Sequence, residues 1–150
     1  MENTLILLKP DTIQRGLSGE IISRFENKGF KIIGMKLMII SKDLAETHYS
    51  EHKDKSFFVD LVSFITSSPI MAMVIQSENA ISIARNMMGT TNPVNALSGT
   101  IRGDFGISLE SNIVHGSDSK TSAKKEINLF FKPEELIEYS KSIQKWITGD

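Results

Sequence analysis

Cysteine is missing from all 150 residues, so no disulfide is available and the fold must rest on its apolar core. That absence suits a reducing compartment and equally an exported protein that needs no cross-link. Long apolar runs are missing too. Leu5 to Leu8 is cut short by Lys9-Pro10, too brief for a signal-peptide core, and nothing approaches the roughly 18 apolar residues of a membrane span. The expected compartment is the cytoplasm, with no membrane partner. An excess of either charge is lacking as well: seventeen basic residues face eighteen acidic ones, for a net charge of -1. No global field draws this chain onto nucleic acid, no specific nucleic-acid partner is expected, and any anion site must be local.

A chain this long buries roughly two thirds or more of the surface its unfolded form exposes. Residues 1–150 read as one domain, without internal repeat or linker. Thr4 to Leu8 reads as a buried strand that stops at Pro10. Leu17, Ile21, Ile22 and Phe25, followed by Gly29, mark a helix with its usual stop. Phe30 to Ile40 reads as a long strand with Ile33, Met35, Leu37 and Ile39 on one face. Ser41 caps a short helix through about Lys53, and Phe58, Leu61, Val62 and Ile65 mark another. Ile70 to Ile75 suits a central strand, and Ala80 to Met88 a helix. Segment 89–111, with Gly89, Gly99, Gly103 and Gly106, is a long loop expected to be ordered and functional. Ser117 to Lys125 reads as a short helix, Ile127 to Phe131 as the fourth strand, and Pro133-Glu134-Glu135 as the opening of a last helix. The class is α+β: a ferredoxin-like, split βαβ, four-stranded antiparallel sheet with helices packed on one face plus the long ordered loop.

The familiar phosphate loops are absent. There is no G-x-x-x-x-G-K-[ST], Gly99, Gly103 and Gly106 do not form G-x-G-x-x-G, and the protein-kinase set is missing. A nucleotide site here would use another geometry. His48, Glu51 and His52 spell H-x-x-E-H, the order of inverted zinc peptidases, but a five-residue pattern without a third ligand reads more simply as a solvated helix or a contributor to a phosphate site.

The stretch N-I-V-H-G-S-D-S, Asn112 to Ser119, carries more. Gly116 leaves space near the backbone, and Ser117, Asp118 and Ser119 can cap the following helix, whose first N–H groups favour an anion. A neutral imidazole at His115, with an ordinary pKa of about 6.5, can attack phosphorus directly. Glu126 is within reach of that ring if the helix folds back, and a carboxylate there fixes its tautomer. Lys9 ends the first strand at the sheet edge, Arg85 stands four residues after Ile81 beside an apolar stripe, and Arg102 lies inside the glycine-rich loop; both arginines are candidates to face phosphates. Phe57 at a helix start is free to stack on a base, while Phe64 reads as core.

Taken together, K-P-D (Lys9 to Asp11), H-Y-S-E-H, T-N-P (Thr91 to Pro93), G-T-I-R-G-D-F (Gly99 to Phe105), N-I-V-H-G-S-D-S and P-E-E-L (Pro133 to Leu136) resemble the nucleoside diphosphate kinase family in order and spacing over nearly the whole chain. The resemblance implies transfer of the γ-phosphate of a nucleoside triphosphate to a nucleoside diphosphate through a phosphohistidine, in a ping-pong cycle that maintains NTP and dNTP pools. It implies His115 as nucleophile with Glu126 as hydrogen-bonding partner and Ser117 in the same catalytic group. Lys9 and Tyr49 would bind the transferring phosphate, and Arg85, Thr91 and Arg102 the others. Asn112 with Lys9 would contact the ribose, Phe57 and Leu61 one face of the base, and Leu109 the other. Mg2+ would ride on the nucleotide phosphates and water, so no protein metal ligands are expected. The family's assembly would be a hexamer, or alternatively a tetramer, built from dimers. Ser56 departs from the family pattern, where proline is common before Phe57-Phe58.

Overall fold

The computed structural model describes residues 1–149. Four strands, β1 (Glu2–Leu8), β2 (Lys31–Met38), β3 (Ile70–Ser77) and β4 (Val114–Gly116), form one antiparallel sheet in the order β2-β3-β1-β4. This is the ferredoxin-like arrangement, and it makes β1 and β3 the inner strands. Leu5 to Leu8 on β1 are all fully buried, each stabilising the fold by roughly 1.5–3 kcal/mol. Because side chains alternate along a strand, Leu5 and Leu7 enter one apolar cluster while Ile6 and Leu8 enter another. That is why the run reads as continuously apolar.

Two clusters mean two covered faces. The expectation of helices on one face is corrected here: α2 (Ser18–Lys28) and α5 (Ala80–Met88) bring Ile21, Phe25, Ala84 and Met88 to one side. On the other side, α3 (Lys42–His48), α4 (Phe58–Ile65) and α7 (Lys120–Phe130) bring Ala45, Val62, Ile65, Ile127 and Phe130. Ser41 caps α3 by accepting from the Leu44 N–H. Gly29, at φ +111, closes α2 in the left-handed conformation; a Cβ there would also stand 2.6 Å from Ile147.

The fourth strand is not Ile127 to Phe131. That segment continues α7, with Ala123, Ile127 and Phe130 buried at i, i+4 and i+7, and the strand that completes the sheet is the three-residue β4. A short apolar run has no period of its own, and the helical spacing from Ala123 decides it. On β2, a register shift between Ile32 and Gly34 breaks the expected face: Ile33 is buried, whereas Met35, Leu37 and Ile39 are 45%, 61% and 71% exposed. Segment 89–111 is ordered, as expected, and folds around a 3₁₀ turn at Pro93–Asn95 and the short α6 (Ile101–Phe105), capped by Thr100. Pro133–Glu135 makes a single 3₁₀ turn rather than a long helix, and α8 (Gln144–Thr148) lies beyond it; the short α1 (Pro10–Gln14) follows β1, with proline at its first turn. None of these helices is long and apolar enough to cross a membrane.

Candidate active site

β4 exists to deliver one side chain. Leu7 pairs with His115, so the histidine is fixed to the central strand β1, next to the point where Lys9 leaves the sheet. Just before β4, Ile113 adopts φ +75, a conformation that a β-branched residue avoids. The surroundings hold it there. Its N–H donates to Asp11 Oδ2 at 2.9 Å, and its carbonyl accepts the Lys9 N–H at 3.0 Å and the Thr12 hydroxyl at 2.6 Å. The K-P-D-T segment is therefore the clamp that forces the backbone to turn into the histidine. No sequence pattern announces a left-handed isoleucine.

Nε2 of His115 lies 3.0 Å from Glu126 Oε2, and the Ser117 hydroxyl donates to the same oxygen at 2.7 Å. Burial alone would push the Glu126 carboxyl up, but the His115 hydrogen bond and charge, with Ser117, outweigh it and hold the group below the usual glutamate range. An ionised carboxylate only accepts, so the proton belongs on Nε2 and the lone pair on Nδ1. Ser117 is fully buried behind the ring and acts on Glu126 rather than lining the cleft. Gly116 lines the cleft, and because a Cβ there would meet Met88 Sδ at 2.6 Å, this glycine also admits α5 to the sheet.

His115, Lys9, Tyr49, Arg85, Thr91 and Asn112 line a single cleft of about 630 Å³, a size suited to a nucleotide-sized molecule. Lys9 is buried where β1 ends. It is 8% exposed, its ammonium donates to Asn112 Oδ1 at 2.6 Å, and burial together with nearby Arg102 lowers its pKa to about 8. Asn112 in turn donates to the Thr91 carbonyl at 3.0 Å. Burial raises the Tyr49 phenol to about 12, so it stays protonated and able to donate.

The two arginines differ. Arg85 is exposed on α5, with a 3.4 Å hydrogen bond to the Gly116 carbonyl, and its guanidinium reaches the cleft. Arg102 is 5% exposed and donates to three backbone carbonyls, those of Asn112 at 3.2 Å, Gly89 at 2.9 Å and Val114 at 2.6 Å. It binds segment 89–111 to β4 as well as bordering the cleft. Phe57 precedes α4 and is 46% exposed, Leu61 stands one turn further along, and Leu109, 52% exposed, lines the same cleft.

The same geometry separates the two histidines of H-x-x-E-H. His52 lies in a 3₁₀ turn against Phe57, ring centroids 5.5 Å apart, and does not join His48. His48 points inward instead, edge-to-face with His115 at 4.8 Å. Neither of its ring nitrogens has a hydrogen-bond partner among the described residues. Burial, and then His115, lowers its pKa to about 3, so the ring is neutral. The motif places His48 near His52 along the chain only; packing of α3 against the sheet sets it beside His115.

A four-stranded ferredoxin-like sheet that presents a carboxylate-held histidine to a cationic, base-sized cleft defines a phosphotransferase-type site. The nucleoside diphosphate kinase family model matches residues 2–136. A nucleoside diphosphate kinase of Carboxydothermus hydrogenoformans is 59% identical over 147 residues, covering 98% of this chain and 99% of the relative. That of Halalkalibacterium halodurans is 57% identical, covering 98% and 100%. Among solved structures, the Halobacterium salinarum enzyme in complex with CDP superposes with a TM-score of 0.96 at 46% identity, covering 97% of each chain. A Babesia bovis family member gives 0.95 at 48% identity over 98% of this chain and 99% of that one. The chain belongs to the nucleoside diphosphate kinase family, whose members transfer the γ-phosphate of a nucleoside triphosphate to a nucleoside diphosphate through a phosphohistidine.

Proposed function

We propose that His115 carries the phosphoryl group in this exchange. The observation that supports it is the Nε2–Glu126 hydrogen bond, which leaves Nδ1 with the free lone pair. Attack by Nδ1 forms a P–N bond as the bond from the γ-phosphorus to the bridging oxygen breaks, and the diphosphate leaves. The ring becomes cationic in that step, and the ionised Glu126 stabilises it. A second diphosphate then takes the group by the reverse route, so one site serves both halves. Lys9, Tyr49 and Arg85 meet charge on the phosphate oxygens, with Arg102 and Thr91 at the rim of the same site. Lys9 and Asn112, already joined, offer paired polar contacts to a ribose. Phe57 and Leu61 with Leu109 form an apolar slot, and stacking there tolerates every base because each has a π-face.

The residues fit a Mg2+ that arrives on the nucleotide. The tightest group of ligand-type side chains among the described residues has two imidazoles, His48 and His115, and one carboxylate, Glu126; Mg2+ prefers oxygen donors and keeps its waters. When bound to the nucleotide, Mg2+ supplies charge neutralisation between the phosphates. The 150 residues act as one cytoplasmic domain. Two separate apolar surfaces support self-association into a hexamer, alternatively a tetramer, of dimers: the edge strand β2 with Met35 and Leu37, and segment 89–111 with Val94, Leu97 and Ile107, all exposed.

The test is single-turnover labelling with γ-labelled ATP and magnesium, then a chase with GDP or CDP, beside His115→Ala. Acid-labile label that is absent from the variant and chases into GTP or CTP is expected. Label retained by His115→Ala would place the nucleophile elsewhere.

A further inference from the structure

His48 has no task in the exchange just described, yet it is the most unusual polar group in the protein. It is enclosed at the inner end of the cleft, both ring nitrogens lack hydrogen-bond partners among the described residues, and its ring stands edge-on to the ring of His115. A buried polar side chain without partners asks for one. One ring nitrogen each from His48 and His115 and one carboxylate oxygen of Glu126 lie within 4.8 Å of one another. Two imidazoles and a carboxylate with room for a fourth ligand form the donor set of an open zinc site. We propose that His48, His115 and Glu126 bind Zn2+, and that zinc held there shuts off phosphoryl transfer.

Both ligand types are ready for a cation. His48 offers ring nitrogens that no other described group engages, and Glu126 offers a carboxylate already turned towards His115. Imidazole nitrogens select zinc over magnesium, which favours oxygen. Lys9 and Lys125 line the same cleft and oppose a cation there.

The inhibition follows from the tautomer and is the part that rests on His115 being the nucleophile. Zinc requires the Nε2 lone pair, so the proton now given to Glu126 moves to Nδ1 and the ring remains neutral. Nδ1–H has no lone pair for phosphorus. Zinc and the phosphoryl group thus compete for opposite tautomers of one ring, although they touch different nitrogens.

Equilibrium dialysis of the wild-type protein against ZnCl2, with metal quantification, should give one zinc per chain, and His48→Phe should weaken binding by roughly 100-fold. In parallel, labelling by γ-labelled ATP at saturating magnesium should fall with added zinc, recover with a zinc chelator, and become insensitive to zinc in His48→Phe. Co2+ added to the wild type should give the intense visible bands of a tetrahedral site, a readout that needs no variant. Equal zinc binding by wild type and His48→Phe, or only the weak spectrum of hydrated Co2+, overturns the site. Zinc inhibition that persists in His48→Phe overturns the tautomer mechanism. Zinc bound by a wild-type protein that ATP never labels upholds the site and rejects the phosphohistidine reading instead.

Discussion

Ser117 and His115, two positions apart at the end of β4, converge on a single carboxylate oxygen of Glu126, at 2.7 Å and 3.0 Å. The strand geometry makes this possible, since α7 folds back across the sheet and returns Glu126 to the histidine eleven residues earlier. Glu126→Gln keeps the shape but removes the charge and gives the amide a freedom to flip. The rate of His115 phosphorylation should fall on the order of 10²-fold while ATP affinity changes little, because the carboxylate orients the ring and stabilises its charge without meeting the nucleotide. Rapid-quench labelling measures the rate, and an unchanged rate would show that Glu126 is only structural.

Lys9 should impose a pH limit on nucleotide binding. Its ammonium titrates near pH 8 in the fold instead of the ordinary 10.5, mainly through burial. Affinity for ADP is expected to weaken as pH rises through about 8, with proton uptake on binding above that pH, since phosphate favours the charged form. The stability effect has the opposite sign. Between pH 8 and 10.5 the unfolded chain holds the Lys9 proton more tightly, so this group makes the free protein more stable as pH rises across that window. Calorimetric titration with ADP at pH 7 and 9.5 checks the first effect, and Lys9→Met should bind weakly with no step near pH 8.

Arg102 should prove as much a structural residue as a phosphate ligand. With three backbone carbonyls on one buried guanidinium, Arg102→Met is expected to lower stability by at least about 3 kcal/mol. Arg102→Lys keeps the charge but cannot span three acceptors, so it should lose nearly as much. Urea unfolding distinguishes the roles: a lysine variant with native stability and poor catalysis would mean that the guanidinium serves the phosphates and not the fold.

Ser56 offers a stabilising change. The Phe58 N–H bonds to the Lys55 carbonyl, and Phe57 at φ -87, ψ 0 has the third-residue geometry of a type I turn, which places Ser56 second, where proline is favoured. Among the described residues, the Ser56 N–H makes no hydrogen bond that proline would remove. Ser56→Pro should raise stability by roughly 0.4 to 1 kcal/mol, mostly by restricting the unfolded chain. A lower melting temperature for the variant would reject this.

The sequence by itself determined the class of fold and the membership of the cleft. Apolar spacing placed α2, α4, α5 and the inner strands, and the family-like motifs named His115, Lys9, Tyr49, Asn112 and Phe57, which the structure brings to one cavity. What it could not decide were relationships that depend on register and long-range enclosure. The sheet order made Val114–Gly116 the fourth strand, while the helical spacing from Ala123 kept Ile127 to Phe130 in α7. Contacts more than 100 residues apart, from Asp11 and Thr12 to Ile113, hold a strained backbone that no propensity favours. Lys9 and Arg102 were visible as cations, but their burial and its effect on their charge arise only when α6 and β4 close around them. His48 changed most. The motif it shares with His52 read as a solvated helix or a contributor to a phosphate site, while packing of α3 against the sheet set it against His115 and Glu126, because three-dimensional proximity, not spacing along the chain, chooses a side chain's chemical partners.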